Sequence, residues 1–114
     1  MAKDDYYVIA GKILVYLYAR LKGKQNIPPE QFLHGMSKEF PVSEEYFDFV
    51  LDEIHDHGYI KMQTVKDWGG ETVLRDIDSI RITQEGIDFL SENSKIRKVL
   101  KMIPMAASIA ELFQ

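Results

Sequence analysis

Apolar residues recur at helical spacing from the start of the chain, with Tyr6, Ile9, Ala10, Ile13, Leu14, Leu17 and Leu21 on one stripe and Asp4 or Asp5 placed to cap it. A second apolar set, Tyr7, Val8, Val15 and Tyr18, fills much of the remaining circumference and leaves a thin polar strip of Lys12, Tyr16 and Arg20. A helix apolar on nearly all sides requires burial on more than one of them. Gly23 can end this helix, and Pro28 or Pro29 suits the first turn of the next. The second helix is expected over about 29–40, directing Phe32, Leu33, Met36 and Phe40 to the core before Pro41 stops it. The third start is more legible. Ser43 can cap it, Glu44 and Glu45 sit where the helix field favours anions, and Val42 can staple against Phe47. Its core face is Phe47, Val50, Leu51 and Ile54, with Gly58 as a left-handed exit.

After Gly58 the period changes. The run YIKMQTVKDWGGETVLRDIDSIRIT contains two β-prone stretches separated by Asp67, Trp68, Gly69 and Gly70, the pattern of an antiparallel hairpin with a tip of three to five residues. Ile80 and Ile82 alternate as a core-facing strand should. Thr83 then caps a short helix containing Gly86, Ile87, Phe89 and Leu90, and a last helix is expected over roughly 95–112. Helix, helix, helix, hairpin, helix is the order of a winged helix, so the predicted class is α+β, mainly α, with an extra C-terminal helix. The domain is read as 1–94, with 95–114 a helical extension of the same unit.

The segment ITQEGIDFL resembles the Leu/Ile-Thr-x-x-Gly stretch that follows the wing in many bacterial winged-helix regulators. Together with the HGYIK turn and the C-terminal helix, it makes residues of about 5–95 resemble the small YjcQ-like family of Firmicutes and their prophages. The resemblance implies a winged-helix architecture and leaves function open.

Composition narrows the chemistry. At 114 residues the chain is one domain's worth, and the absence of cysteine excludes a disulfide scaffold, a thiolate zinc site and a cysteine nucleophile. No apolar run reaches the roughly 18 residues needed to span a bilayer, and Asp4 and Asp5 spoil any signal-peptide pattern, so the reading is a cytoplasmic protein. The net charge of −4 conceals a segregation along the chain. Residues 1–24 carry five basic and two acidic groups, 25–58 one and eight, 59–94 four and seven, and 95–114 four and one.

This distribution bears on DNA. In winged-helix relatives the third helix commonly enters the major groove, but here residues 43–58 offer Glu44, Glu45, Asp48, Asp52, Glu53 and Asp56 with no lysine or arginine. Guanine reading and phosphate contacts normally require those cations, and an acidic helix repels the duplex. The acidic face is either plainly solvated or a protein-docking surface, with Glu45, Asp48 and Asp52 as its candidate residues. The DNA alternative rests on Lys61, Lys66, Arg75 and Arg81 around the wing, diluted by Asp67, Glu71, Asp76 and Asp78. Trp68 at the tip either folds over the wing base or serves as an exposed aromatic anchor.

Enzymatic constellations are missing from the pattern. His55 and His57 are two apart on a helix and point about 200° from one another, no HExxH motif occurs, His34 has no evident local partner, and Gly69 and Gly70 lack the context of a phosphate loop. No cofactor motif is present, and the chain reads as non-enzymatic.

The C-terminal segment places Lys95, Arg97, Lys98 and Lys101 before an apolar run that includes Ile109, Leu112 and Phe113, with Pro104 either kinking one helix or dividing two. A basic start and an apolar end suit a membrane surface or a protein contact; the methionines and small alanines favour protein. The first helix and this segment both offer more apolar surface than a small core hides, which predicts a homodimer through the two. The sequence therefore predicts a regulatory winged-helix module working chiefly through a protein partner, with a dimeric DNA-binding regulator as the alternative.

Overall fold

A computed structural model describes the backbone of residues 2–66 and 73–101, and the side chains of 6–63 and 76–101. The elements are α1 (Ala2–Leu21), α2 (Pro29–Phe32), α3 (Glu44–Asp56), β1 (Ile60–Lys61), β2 (Thr64–Lys66), β3 (Val73–Arg75), a 3₁₀ turn Ile77–Ser79, β4 (Arg81–Ile82), α4 (Gln84–Glu92) and α5 (Ser94–Leu100). The class is α+β and mainly α, as the periodicities imply.

The nearly all-round apolar character of α1 is explained by its position. It packs against α3, α4, α5 and β4, and Ile9, Ala10, Ile13, Leu14, Val15, Leu17 and Tyr18 are all buried. Tyr16, assigned by spacing to the polar strip, is buried as well, only 1% exposed. Its ring stacks on Phe32 at 4.3 Å and its hydroxyl donates to the Ile27 carbonyl, so the polar atom is satisfied by the connection that follows the helix. The helix is already under way at Ala2, so neither Asp4 nor Asp5 caps it. Because its own chain encloses α1 from Ile9 to Tyr18, this stretch has no spare apolar face to contribute to a dimer.

The second helix is one turn, not three. Pro29 occupies its first position, and the chain leaves helical geometry at Leu33. The following residues satisfy their backbone locally: Ser37 Oγ accepts from Phe40 N at 3.0 Å, and Met36 N donates to the Val42 carbonyl at 2.7 Å. Serine and glycine in HGMSKEF favour such local bonds over helix propagation. Phe32, Leu33 and Phe40 still reach the core, but Met36, at φ 51°, is 80% exposed rather than buried.

Two short antiparallel pairings form the β arm. β1 pairs with β4 as Ile60 with Ile82 and Lys61 with Arg81; β2 pairs with β3 as Thr64 with Arg75, Val65 with Leu74 and Lys66 with Val73. Between them Met62 and Gln63 face a longer stretch, Asp76 to Ile80, whose excess is taken up by the 3₁₀ turn. Ser79 fixes this bend, its hydroxyl accepting from Gln63 N at 2.8 Å and donating to the Asp76 carbonyl at 2.7 Å. Ile80 and Ile82 are both buried, but Ile80 gets there from the turn and not from a strand. The hairpin tip, with Trp68, lies outside the described residues. So does the chain beyond Lys101, where the expected helix of 95–112 is described only as α5 and its C-cap.

The segment ITQEG is the joint of the fold. Thr83 Oγ1 accepts from Gly86 N at 3.1 Å while donating to the Gly58 carbonyl, and Thr83 N donates to the Tyr59 carbonyl at 3.0 Å. One threonine thus caps α4 and ties it to the end of α3. A Cβ on Gly86 would lie 2.3 Å from the Tyr59 carbonyl oxygen, so only glycine allows α4 to approach this closely.

Candidate functional site

The outward face of α3 is the most distinctive surface among the described residues. Ser43 starts the helix as expected, its hydroxyl accepting from Tyr46 N at 3.1 Å. The far end closes with Tyr59 N donating to the Ile54 carbonyl and Gly58 N to the His55 carbonyl, both at 3.0 Å, and Gly58 at φ 82°. Fixed at both ends, the helix buries Phe47, Val50, Leu51 and Ile54. At 100° per residue the opposite face is then Glu45, Asp48, Phe49, Asp52 and Asp56. Glu44, Glu45, Asp48 and Asp56 are exposed, whereas Asp52 and Glu53 are half-buried and not fully in water.

Phe49 is the residue sequence reasoning missed. It is 52% exposed in the middle of the acidic face, four residues after Glu45 and three before Asp52. The signal was present, since Phe49 is the one large hydrophobic of α3 that its core stripe cannot accommodate. Its ring stacks on Tyr46 with centroids 6.1 Å apart.

From this pair an aromatic belt continues along the side of the molecule. Half-buried Tyr6 of α1 senses Glu53, Tyr7, Tyr59 and Tyr46 electrostatically, and burial first, then the Glu53 carboxylate, pushes its phenol above the usual value. Tyr6 and Tyr7 meet edge to face at 5.2 Å. Tyr59 stacks between His57 at 5.5 Å and Phe89 of α4 at 4.3 Å, and Lys95 of α5 lies over Tyr7 at 5.4 Å. Tyr6, Tyr7, Tyr46, Tyr59 and Phe89 each press one side on the core and present the other to solvent. Large, stiff, partly exposed rings of this kind lose little entropy on docking and supply the anchors of protein interfaces. The exposed carboxylates of Glu45 and Asp48 adjoin them on α3.

The other expected site residues are distributed as follows. Lys61 and Arg81 are brought directly opposite one another by the β1–β4 register, and both are exposed. Lys66 and Arg75 lie on the second pairing, where only the backbone is described. Trp68, Ile109, Leu112 and Phe113 lie outside the described residues. Two of the histidines serve local structure: His57 Nδ1 lies 2.7 Å from the Glu53 carbonyl, and the His34 ring lies between the Gly35 and Gln31 carbonyls at 2.9 and 3.1 Å. Among the described residues no group of three His, Asp or Glu side chains is close enough to hold a metal ion, and no helix is long and apolar enough to cross a membrane.

No curated protein and no solved structure matches the chain. A family model does, described as YjcQ protein and aligned over residues 12–107. The match runs from the buried middle of α1 through α3, the β arm and the Thr83 joint into the C-terminal segment, and on it the chain belongs to the YjcQ protein family.

Proposed function

We propose that this protein is a non-enzymatic, winged-helix binding module that engages a protein partner through the outward face of α3 and the aromatic belt beside it. The observation that carries this reading is Phe49, a large ring left half in water on a helix whose core face is already filled, with Glu45 and Asp48 exposed around it. A merely solvated face has no use for that ring, and covering its exposed half would contribute on the order of 1 kcal/mol to an interface. In a winged-helix reading α3 stands where a recognition helix would, and its exposed residues include no cation to grip a phosphate. The function therefore falls in the protein-binding class, in a regulatory role.

The DNA alternative retains one supporting feature, the exposed Lys61 and Arg81 pair on the β arm. Homodimerisation, in turn, rests on Ile109, Leu112 and Phe113, since α1 is enclosed from Ile9 to Tyr18.

Site-directed photocrosslinking separates these readings. A photoreactive phenylalanine analogue at position 49 is expected to form one discrete protein adduct in cells of the source organism, while the same analogue at exposed Glu92 forms none. Adducts equal at both positions, or sub-micromolar binding of duplex DNA that survives competition by unrelated duplex, would remove the protein-docking reading.

A further inference from the structure

At the bend of the β arm lies an open groove of about 450 Å³, lined by His55, Lys61, Met62, Gln63, Ser79 and Arg81 among others. Its described lining shares no residue with the aromatic belt and includes no carboxylate. The antiparallel register sets Lys61 and Arg81 directly across from each other, and both are exposed. Like charges in that position repel and destabilise a strand pair. Among the described residues neither forms an ion pair, so no described carboxylate neutralises the two charges directly.

His55 joins them from the last turn of α3. Its Nδ1 lies 3.6 Å from Asp56 Oδ1, and its Nε2 has no partner among the described residues. The Gln63 carboxamide adds two further donors. The Ser79 hydroxyl is committed to Gln63 N and the Asp76 carbonyl, so it shapes the groove and does not bind. Half-buried Met62 supplies an apolar contact beside the cations.

We propose that this groove binds a phosphate dianion, free or as a monoester, held between the Lys61 ammonium and the Arg81 guanidinium with donors from His55 and Gln63. Two adjacent cations, one of them a planar fork, match a doubly charged tetrahedral oxyanion better than a single carboxylate. A groove of this size admits the phosphate and a small attached body. The dianion arrives either as free phosphate or on a small phosphorylated molecule, and the bound charge removes the Lys61–Arg81 repulsion.

The test is titration of the full chain, observed in ¹⁵N–¹H spectra, with inorganic phosphate, AMP, adenosine and a short duplex DNA in separate arms. Phosphate and AMP are expected to shift Lys61, Gln63, Ser79 and Arg81 at millimolar concentration, and adenosine is not. AMP binding tighter than phosphate assigns a phosphorylated molecule as the source, and equal binding assigns the free anion. The K61Q/R81Q variant is expected to lose at least about tenfold in affinity, from loss of charge-assisted bonds. It should melt no lower than the wild type, because it relieves the like-charge pair. K61R/R81K, which retains both charges, should still bind. Absence of shifts around the groove, undiminished binding by a folded K61Q/R81Q, or duplex DNA binding far more tightly than AMP would each overturn the proposal.

Discussion

Gly86 and Gly58 are needed for different reasons, and substitution separates them. A Cβ at Gly86 meets the Tyr59 carbonyl oxygen at 2.3 Å and Ile82 Cγ1 at 2.7 Å, and backbone cannot move aside cheaply; Gly58 has positive φ but open space around it. Gly86→Ala is therefore expected to destabilise by about 3 kcal/mol, against about 1 kcal/mol for Gly58→Ala, as measured by urea unfolding. The importance of Thr83 and Gly86 was legible in the sequence because a cap and a small residue have local meaning. The burial of Tyr16 was not, since its partner, the Ile27 carbonyl, belongs to a loop whose path no helical wheel can supply. Burial pushes the Tyr16 phenol above its usual value of 10.0, with Arg20 pulling partly back, and Tyr6 is raised as well. A raised phenol binds its proton more tightly when folded, so stability should hold below pH 10.0 and fall as pH rises beyond it. Thermal melts across that range should show the fall. Tyr16→Phe should be less stable by about 1 kcal/mol at neutral pH and should lose less on the alkaline side.

At the level of elements, α3 was readable almost whole, because both of its ends and its apolar stripe are encoded within its own residues. Ser43→Ala should cost about 1 kcal/mol through loss of the cap. Phe49→Ser should stay within about 0.5 kcal/mol of the wild type, since the ring is half in solvent and outside the core. Equilibrium unfolding of the two variants tests that contrast, and a large loss from Phe49→Ser would make the ring structural. The faultless helical spacing of Phe32, Leu33, Met36 and Phe40 predicts a helix to residue 40, and the helix ends at Phe32 instead. Apolar spacing records which residues seek the core, not the route that takes them there, and the local bonds of Ser37 and the backbone of Met36 chose a folded loop. The β arm was legible as a hairpin, but the bend at Ile77–Ser79 depends on a register that only the paired strands define.

At the scale of the whole molecule, a central α1 explains why a chain of 114 residues can carry so apolar a first helix with its middle, Ile9 to Tyr18, buried. It also transfers the question of assembly to the C-terminal segment. If Ile109, Leu112 and Phe113 form a contact between copies, sedimentation across a wide concentration range should show a dimer that dissociates when all three are replaced by charged residues. A monomer at all concentrations would dispose of this assembly. The belt that joins Tyr6, Tyr46, Tyr59 and Phe89 was invisible along the sequence for a related reason: its rings come from α1, α3, the turn after α3 and α4, and only packing gathers them.

An acidic rim around exposed rings should prefer arginine to lysine, because guanidinium pairs with carboxylates and also stacks on aromatic faces, whereas ammonium is held more strongly by water. The most direct test is therefore to titrate the protein with two peptides of equal length and charge, one arginine-based and one lysine-based, following ¹⁵N–¹H shifts. The account predicts tighter binding of the arginine peptide, shifts centred on Glu45, Tyr46, Phe49, Glu53 and Tyr59, and loss of the preference in a folded Phe49→Ser, Tyr59→Ser variant. Equal affinity for the two peptides, or shifts that avoid α3, would contradict it.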